Sequence, residues 1–246
     1  SMPYCIAPWL HSHLNPAGER KLCCVALPSG IDGNTAFSDY WNSDYMQGVR
    51  EKMLAHKPPA ECAHCVHFKG VGAQRSIYLH LLLGLPDLPK LKWTTLTSQK
   101  PVSLDYRINR HCNFSCRMCA STASSRIEHL EEKAKIEFTE NRITAEQFAH
   151  FKSEMFDLIK SGELLDLNFA DGEPFLSPLH WEILDYLVKN QLSKKVILRY
   201  SSNISTLNYK GIYIPQYFKD HFNKVFISMS IDGVKETAEF VRDGLR

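Results

Sequence analysis

The sequence predicts an α/β fold of parallel βα units, preceded by a small cysteine-rich α+β segment. From residue 101 onward, short apolar strand patterns alternate with helical patterns, which favours parallel strands joined by right-handed crossovers. Each of the four strands predicted there is followed by polar residues or cysteines. Five of the eight cysteines lie early in the chain, and the other three share one short loop.

The composition sets limits on the class of protein. The 246 residues, 44% of them hydrophobic, suffice for one large or two modest domains with real cores. A formal net charge of +2 gives no electrostatic case for binding nucleic acid or an anionic membrane. We see no apolar run of transmembrane length and no secretory signal, and Ser1 before Met2 is typical of a tag-cleavage remnant. Cysteines at metal-ligating spacings then indicate a protein of the reducing cytoplasm.

The first segment is expected to begin with a β-hairpin. Residues 10–14 precede a turn at residues 15–18, and residues 20–25 are typical of the return strand. The hairpin would bring Cys5 and the pair Cys23 and Cys24 to the same end of a small sheet. Neighbouring residues of a strand point to opposite faces, so only one of the pair can reach a shared site. We favour Cys23, with Cys24 as the alternative.

The same segment continues with a helix and a second pair of cysteines. Ser43 is a suitable N-cap for a helix over residues 44–54, which Pro58 and Pro59 would end. Cys62 and Cys65 follow at a spacing that lets both face one metal. With Cys5 and Cys23 they make the four thiolates that an iron–sulfur cluster needs. A structural zinc site is the alternative, with a histidine able to replace one thiolate, either His64 or His67.

Residues 74–100 are expected to connect this segment to the βα units. Their first part, up to Gly84, is apolar and compatible with a helix, and Pro86 and Pro89 then break the regularity. Because leucines are frequent there, we expect a packed bridge rather than a flexible linker.

The three later cysteines have the spacing CxxxCxxC and follow a predicted strand over residues 102–108. Cys112, Cys116 and Cys119 can converge on one small inorganic group. Thiolates favour iron–sulfur clusters, zinc or copper(I). Three ligands leave one iron of a four-iron cluster open to another molecule. A structural zinc site would need a fourth ligand such as His111.

The rest of the chain supplies further strands and helices. Strands are predicted over residues 164–170, 195–200 and 224–231. One helix is predicted over residues 124–135. A second is predicted from a capping box formed by Thr144 and Gln147 to Gly162, and a third from Ser177 to about residue 190. Two more are predicted, one after Pro215 and one from about residue 234. The carboxyl ends of parallel strands meet at one edge, where ligands gather. We therefore expect a site there that includes the cysteine loop and the residues Asp171, Gly172, Glu173, Ser201, Ser202, Asn203, Ser228, Ser230 and Asp232.

At the cysteine loop the chain resembles the radical SAM superfamily, although Met118 stands where that family usually has an aromatic residue. The resemblance implies a partial (β/α) barrel with about four of six βα units present. It also implies a [4Fe–4S] cluster whose open iron binds S-adenosylmethionine, which one electron then cleaves to a 5′-deoxyadenosyl radical.

Other strand ends resemble the same family. The sequence Asp171-Gly172-Glu173-Pro174 is similar to its GGE motif, which binds the ammonium group of S-adenosylmethionine. Residues 228–233 resemble its SxDG-type fourth strand. The resemblance implies that cofactor contacts come from Gly172, Glu173, Ser202, Asn203, Ser230 and Asp232.

The first segment resembles the SPASM/twitch auxiliary-cluster module of many radical SAM enzymes. The matching features are Cys5 with Pro8-Trp9, Gly18, the cysteine pair, residues 41–43 with Arg50, and the Cys62 and Cys65 motif. This implies an auxiliary cluster, of the [4Fe–4S] type, held by Cys5, Cys23, Cys62 and Cys65. The expected organisation is an auxiliary domain over residues 1–73, a connector over 74–100, and a partial barrel over 101–246 that is truncated at its carboxyl end.

The resemblance implies a radical SAM enzyme that modifies a peptide or protein side chain. Its expected partners are S-adenosylmethionine, the substrate, and an electron donor such as flavodoxin or ferredoxin. One alternative is a radical SAM dehydrogenase of a small molecule. The other is a non-catalytic interaction protein in which both cysteine groups bind zinc structurally.

Overall fold

A computed structural model of the chain describes residues 3–67, 95–136 and 142–244. Its strands are β1 (His11–Leu14), β2 (Arg20–Lys21), β3 (Ser103–Tyr106), β4 (Ser115–Cys116), β5 (Asp166–Phe169), β6 (Ile197–Ser202), β7 (Asn208–Tyr209), β8 (Ile212–Tyr213), β9 (Lys224–Met229) and β10 (Arg242–Asp243). Its α-helices are α1 (Ala7–Leu10), α2 (Phe37–Trp41), α3 (Asp44–Leu54), α4 (Ala63–His67), α5 (Ser125–Lys133), α6 (Ala145–Lys160), α7 (Pro178–Lys189), α8 (Ile214–His221) and α9 (Lys235–Val241). Among these residues, no helix combines the length and apolar character needed to cross a membrane.

Six strands form one mostly parallel sheet in the order β2-β1-β3-β5-β6-β9. β1 runs parallel to β3 and β6 runs parallel to β9, whereas β2 is antiparallel to β1. The α/β prediction is therefore confirmed, and all four strands predicted after residue 101 are present. Most of the predicted connector, residues 74–94, lies outside the described residues.

The hairpin of the first segment differs from the prediction in two respects. β1 and β2 pair as expected, with His13 opposite Lys21, but β2 ends at Lys21, so Cys23 and Cys24 lie beyond the strand and strand alternation does not decide between them. In addition, β1 pairs with β3, so the hairpin belongs to the large sheet instead of forming a small sheet of its own. The reason is that all four residues of β1 are buried. A strand covered on both faces is typical of a position inside a parallel sheet.

The predicted helix starts are confirmed by their capping hydrogen bonds. The Gln147 amide N–H donates to Thr144 Oγ1 at 3.1 Å, and the Thr144 amide N–H donates to Gln147 Oε1 at 2.9 Å. The hydroxyl oxygens of Ser43 and Ser177 each accept a hydrogen bond from the amide N–H of the third residue of their helices. These side chains satisfy amide groups that would otherwise lack partners at a helix start.

The chain divides into two compact units, each made of separate segments. The first unit comprises Ser1–Asn15, Glu19–Tyr106 and Ala149–Asp166, and the second comprises Pro16–Gly18, Arg107–Phe148 and Leu167–Arg246. The core of the second unit is rich in aromatic rings. There, burial lowers the pKa of His180 to about 3, so the ring is neutral at physiological pH and shares a 2.8 Å hydrogen bond with the Tyr200 hydroxyl.

The first unit is organised around a buried arginine on α3. The guanidinium of Arg50 is 0% exposed and donates hydrogen bonds to four oxygen atoms, namely Pro8 O at 3.0 Å, Trp41 O at 2.7 Å, Asn42 Oδ1 at 2.8 Å and Leu96 O at 2.9 Å. Burial lowers its pKa to about 10, which still leaves it charged at neutral pH. Arg50 therefore holds Pro8, three residues after Cys5, and the residues just before α3 against that helix.

We predict that Arg50→Lys lowers the free energy of unfolding by about 2–4 kcal/mol, because lysine has no planar fork and leaves buried oxygens without donors. The matched control is Lys52→Arg, the reverse exchange at an exposed position of the same helix, which should change stability by less than about 0.5 kcal/mol. Denaturant unfolding measures both values. Equal stability of the two variants would mean that the four contacts of Arg50 contribute little.

Candidate metal centres

The cysteine loop of the second unit is anchored to the start of α5. Ser124 Oγ donates to Phe114 O at 2.7 Å, and the Phe114 ring is buried. The Cys112 amide N–H donates to Ser125 Oγ at 3.1 Å, and that hydroxyl donates to Cys112 O at 3.2 Å. Two consecutive serines therefore set the path of the chain between the first and second cysteines.

The three thiols of this loop influence one another electrostatically. Burial raises the pKa of Cys112 to about 11; the Phe114 amide opposes this shift, while Glu173, Cys119 and Cys116 add to it. The Phe114 N–H lies 3.5 Å from Cys112 Sγ, as a donor to sulfur. Ionising several such thiols together is unfavourable unless a positive charge is bound between them. A metal ion or an iron–sulfur cluster would supply such a charge, and its presence at this loop stays a prediction.

An arginine that sequence reasoning missed lies against the second thiol of the loop. Burial raises the pKa of Cys116, and the nearby Arg242 opposes that shift. Arg242 Nη1 donates to Cys116 Sγ at 3.7 Å, while Nη2 forms an ion pair with Asp232. β10, which contains Arg242, pairs with β4 of the loop. No pattern near Arg242 indicates this contact, because the two residues are 126 positions apart.

The predicted Asp171-Gly172-Glu173 turn packs directly on the residue before Cys112. Gly172 has φ +52°, and a Cβ atom there would lie 2.6 Å from His111 O and 2.9 Å from Asn109 Nδ2. The Glu173 amide N–H donates to that His111 oxygen at 2.7 Å. Both the backbone angle and the close approach therefore require glycine.

The carboxylate of Glu173 connects this turn to the end of β6. It is 1% exposed and accepts hydrogen bonds from Ser202 Oγ at 2.7 Å, the Asn203 amide at 2.7 Å and the Phe175 amide at 3.2 Å. Burial raises the pKa of Glu173, and these three bonds oppose the shift. In this structure both carboxylate oxygens are therefore engaged within the protein, and a direct contact of Glu173 or Ser202 with a cofactor stays a prediction.

The other predicted cofactor-binding residues also lie near this turn or the loop. Asn203 Nδ2 donates to Asn113 Oδ1 of the loop at 3.1 Å. The Ser230 amide donates to Ser202 O at 2.8 Å, and Asp232 is exposed and paired with Arg242 as described above. The structure thus brings the polar ends of β5, β6 and β9 together with the cysteine loop, as the sequence predicted.

Three cysteines of the predicted auxiliary site act electrostatically on the fourth, Cys62. Burial raises the pKa of Cys62 to about 12, and Cys5, Cys23 and Cys65 all add to the shift. Cys24 is exposed and is not among these neighbours. The choice of Cys23 over Cys24 as the third ligand agrees with these electrostatic contributions and stays a prediction.

Backbone contacts hold these cysteines in place. The Tyr4 amide donates to Met53 O at 2.9 Å, which fixes the residue before Cys5 to the end of α3. The Leu27 amide donates to Glu61 O at 2.9 Å, and Tyr45 Oη donates to Glu61 Oε1 at 3.0 Å. None of the eight cysteines forms a disulfide. The histidines considered as zinc ligands are all exposed, namely His64, His67 and His111.

Comparison of the chain with protein-family models, with curated proteins and with solved structures found no match. The assignment of a function therefore depends on the residues themselves.

We predict that Gly172→Ala lowers the free energy of unfolding by about 1–3 kcal/mol more than Gly211→Ala, because only the first substitution forces a methyl group against a backbone oxygen. Gly211 is the matched control, since its φ of +88° carries the same kind of backbone strain but nothing lies within 4 Å of its added Cβ. Denaturant unfolding of both variants gives the difference. Equal losses would show that the turn has room beside His111.

Proposed function

We propose that this chain is a radical SAM enzyme of the reducing cytoplasm, with a partial (β/α) barrel and an amino-terminal twitch-like auxiliary site. The observation that carries the proposal is the CxxxCxxC loop packed against the turn that contains Gly172 and Glu173. Both features come from motifs that are separate in sequence and adjacent in space.

The number of thiols supports an open cluster at this loop. The second unit contains Cys112, Cys116 and Cys119, and the other five cysteines belong to the first unit. A closed structural zinc site has four protein ligands. Three thiolates without a fourth fit a [4Fe–4S] cluster that leaves one iron for a ligand.

When bound, such a cluster supplies the electron that cleaves S-adenosylmethionine to a 5′-deoxyadenosyl radical, and flavodoxin or ferredoxin would supply that electron in turn. The chain's own residues hold and orient the reactants. Cys112, Cys116 and Cys119 would hold the cluster, and the Arg242 guanidinium would offset negative charge at the Cys116 sulfur. Glu173 acts as a positioning residue, because it fixes the end of β6 relative to the loop.

Polar groups at the strand ends would orient the nucleotide. Asn203 and Ser230 are partly exposed beside the loop, and Asp232 is exposed. Amide, hydroxyl and carboxylate groups match the ribose hydroxyls and the amino-acid part of S-adenosylmethionine. Glu173 and Ser202 bind each other, and their direct contact with the ligand stays a prediction.

The auxiliary site in the first unit supports a place among SPASM/twitch enzymes. Cys5, Cys23, Cys62 and Cys65 offer four soft ligands, enough for a closed [4Fe–4S] cluster. The resemblance to SPASM/twitch proteins favours modification of a peptide or protein side chain. Oxidation of a small molecule is the alternative within the same chemistry.

A zinc protein is the second candidate function, because four thiolates also suit structural zinc.

We predict that protein purified and reconstituted without oxygen holds about eight irons and eight sulfides, as expected for two clusters. It should release 5′-deoxyadenosine when reduced with dithionite in the presence of S-adenosylmethionine. Iron and sulfide analysis and chromatography of the nucleoside measure these outcomes. Colourless protein with bound zinc and no nucleoside would contradict the proposal.

Cysteine variants separate the two sites. Cys116→Ser should lose about four irons and all S-adenosylmethionine cleavage, because only three ligands hold that cluster. Cys23→Ser should also lose about four irons but keep cleavage, since the loop of the second unit is intact. Cys24→Ser is the matched control, at the neighbouring exposed position, and should keep both. Loss of iron in Cys24→Ser but not in Cys23→Ser would reverse the ligand assignment.

A further inference from the structure

Two histidines and an aspartate of the first unit lie on one face of the sheet. His11 and His13 are two residues apart on β1, and Asp105 lies opposite His13 on β3. Side chains two apart on a strand point to the same face. The relative exposure of the three residues is 5% for His11 and 2% for both His13 and Asp105. Neither cysteine group includes any of them.

The potential ligand atoms of these three side chains all lie within 4.8 Å of one another. His13 Nδ1 is 3.1 Å from Asp105 Oδ2. Metal–nitrogen and metal–oxygen bonds of about 2.1 Å place two ligand atoms of one ion at most about 4.2 Å apart. Small side-chain rotations therefore suffice for the three groups to bind one ion.

The hydrogen bonds around His11 set its tautomer. Ser103 Oγ donates to Asp166 Oδ2 at 2.6 Å, so the oxygen of that hydroxyl accepts from its other neighbour. That neighbour is His11 Nδ1, at 2.7 Å. His11 Nδ1 then carries the ring proton, which makes Nε2 the ring nitrogen able to ligate a metal. A metal-binding histidine is commonly held in orientation by a hydrogen bond that its second ring nitrogen donates to an oxygen acceptor such as a carboxylate.

The charges on this face also suit a cation. Asp105 and Asp166 are both at most 2% exposed and place two carboxylates on this face. Buried carboxylates are costly to keep ionised unless positive charge is close. A divalent ion would provide such charge, and the rival arrangement is an ion pair between a protonated His13 and Asp105.

We propose that His11, His13 and Asp105 form a mononuclear site for a divalent first-row transition ion of the Fe²⁺ or Mn²⁺ class. Two imidazoles and one carboxylate are harder ligands than thiolates, and this set leaves coordination positions open. The site is separate from both cysteine groups. It does not depend on the proposed radical SAM activity.

Mn²⁺ is the probe, because thiolates bind it weakly and the cysteine groups will not compete. The full chain, purified without oxygen, is titrated with MnCl₂ while electron paramagnetic resonance measures the free ion. The expected result is one bound Mn²⁺ per chain. His13→Gln and Asp105→Asn, which roughly preserve side-chain volume, should weaken binding by about 100-fold or more. Ser103→Ala, which leaves all three ligands, should weaken it by about 10–100-fold through loss of His11 orientation.

Matched controls are His129→Gln and Asp39→Asn at exposed positions, which should bind Mn²⁺ like the unaltered chain. Cys116→Ser and Cys62→Ser should also keep the Mn²⁺, even where they lose iron. Circular dichroism identifies any variant that fails to fold, and the remaining variants then decide the outcome. No binding at about 1 mM Mn²⁺, a weak affinity by protein standards, would overturn the proposal and support the His13–Asp105 ion pair. Unchanged binding in the ligand variants, or loss of binding in the cysteine variants, would overturn it as well.

Discussion

The second unit depends on one buried carboxylate and the glycine before it. Gly172 allows the turn to approach His111 O, and Glu173 then connects the turn to the end of β6 through three hydrogen bonds. Burial of an acid is unfavourable unless such bonds compensate it. Because the same few residues hold the start of the cysteine loop, the positions of the thiols and of the strand ends are set together rather than independently.

Both cysteine groups contain a thiol whose pKa is raised. In each, burial and neighbouring thiols raise the pKa of a central cysteine, Cys112 in one and Cys62 in the other. A bound cation would remove this penalty and be held in turn by the thiolates, so that metal binding and local folding would support each other. The groups differ in the number of thiols, three against four. In the proposed function, that difference leaves a coordination position for a further ligand at the loop of the second unit.

Local patterns in the sequence were sufficient to predict the four longer strands after residue 101 and the longer helices, as the reciprocal bonds of Thr144 and Gln147 illustrate, but not the short elements α1, α2, α4, β4, β7, β8 and β10. The position of β1 could not be predicted, because His11, Ser12 and His13 are polar and suggest an exposed hairpin. Their burial depends on partners far along the chain, such as Ser103, 92 residues from His11. The contact of Arg242 with Cys116 was missed for the same reason. Contacts of this range have no signature in one sequence.

The two adjacent cysteines of the first unit have a practical consequence for anyone handling the protein. Cys23 lies among the thiols around Cys62, whereas Cys24 faces solvent. Oxidants reach an accessible thiol first, and sulfenic acid on one cysteine readily condenses with a thiol close by. Within this pair, damage by air should therefore begin at Cys24, and condensation with Cys23 would expel water and leave a disulfide. A mass decrease of about 2 Da across the pair, two hydrogen atoms, would then be an early sign of a deteriorating sample.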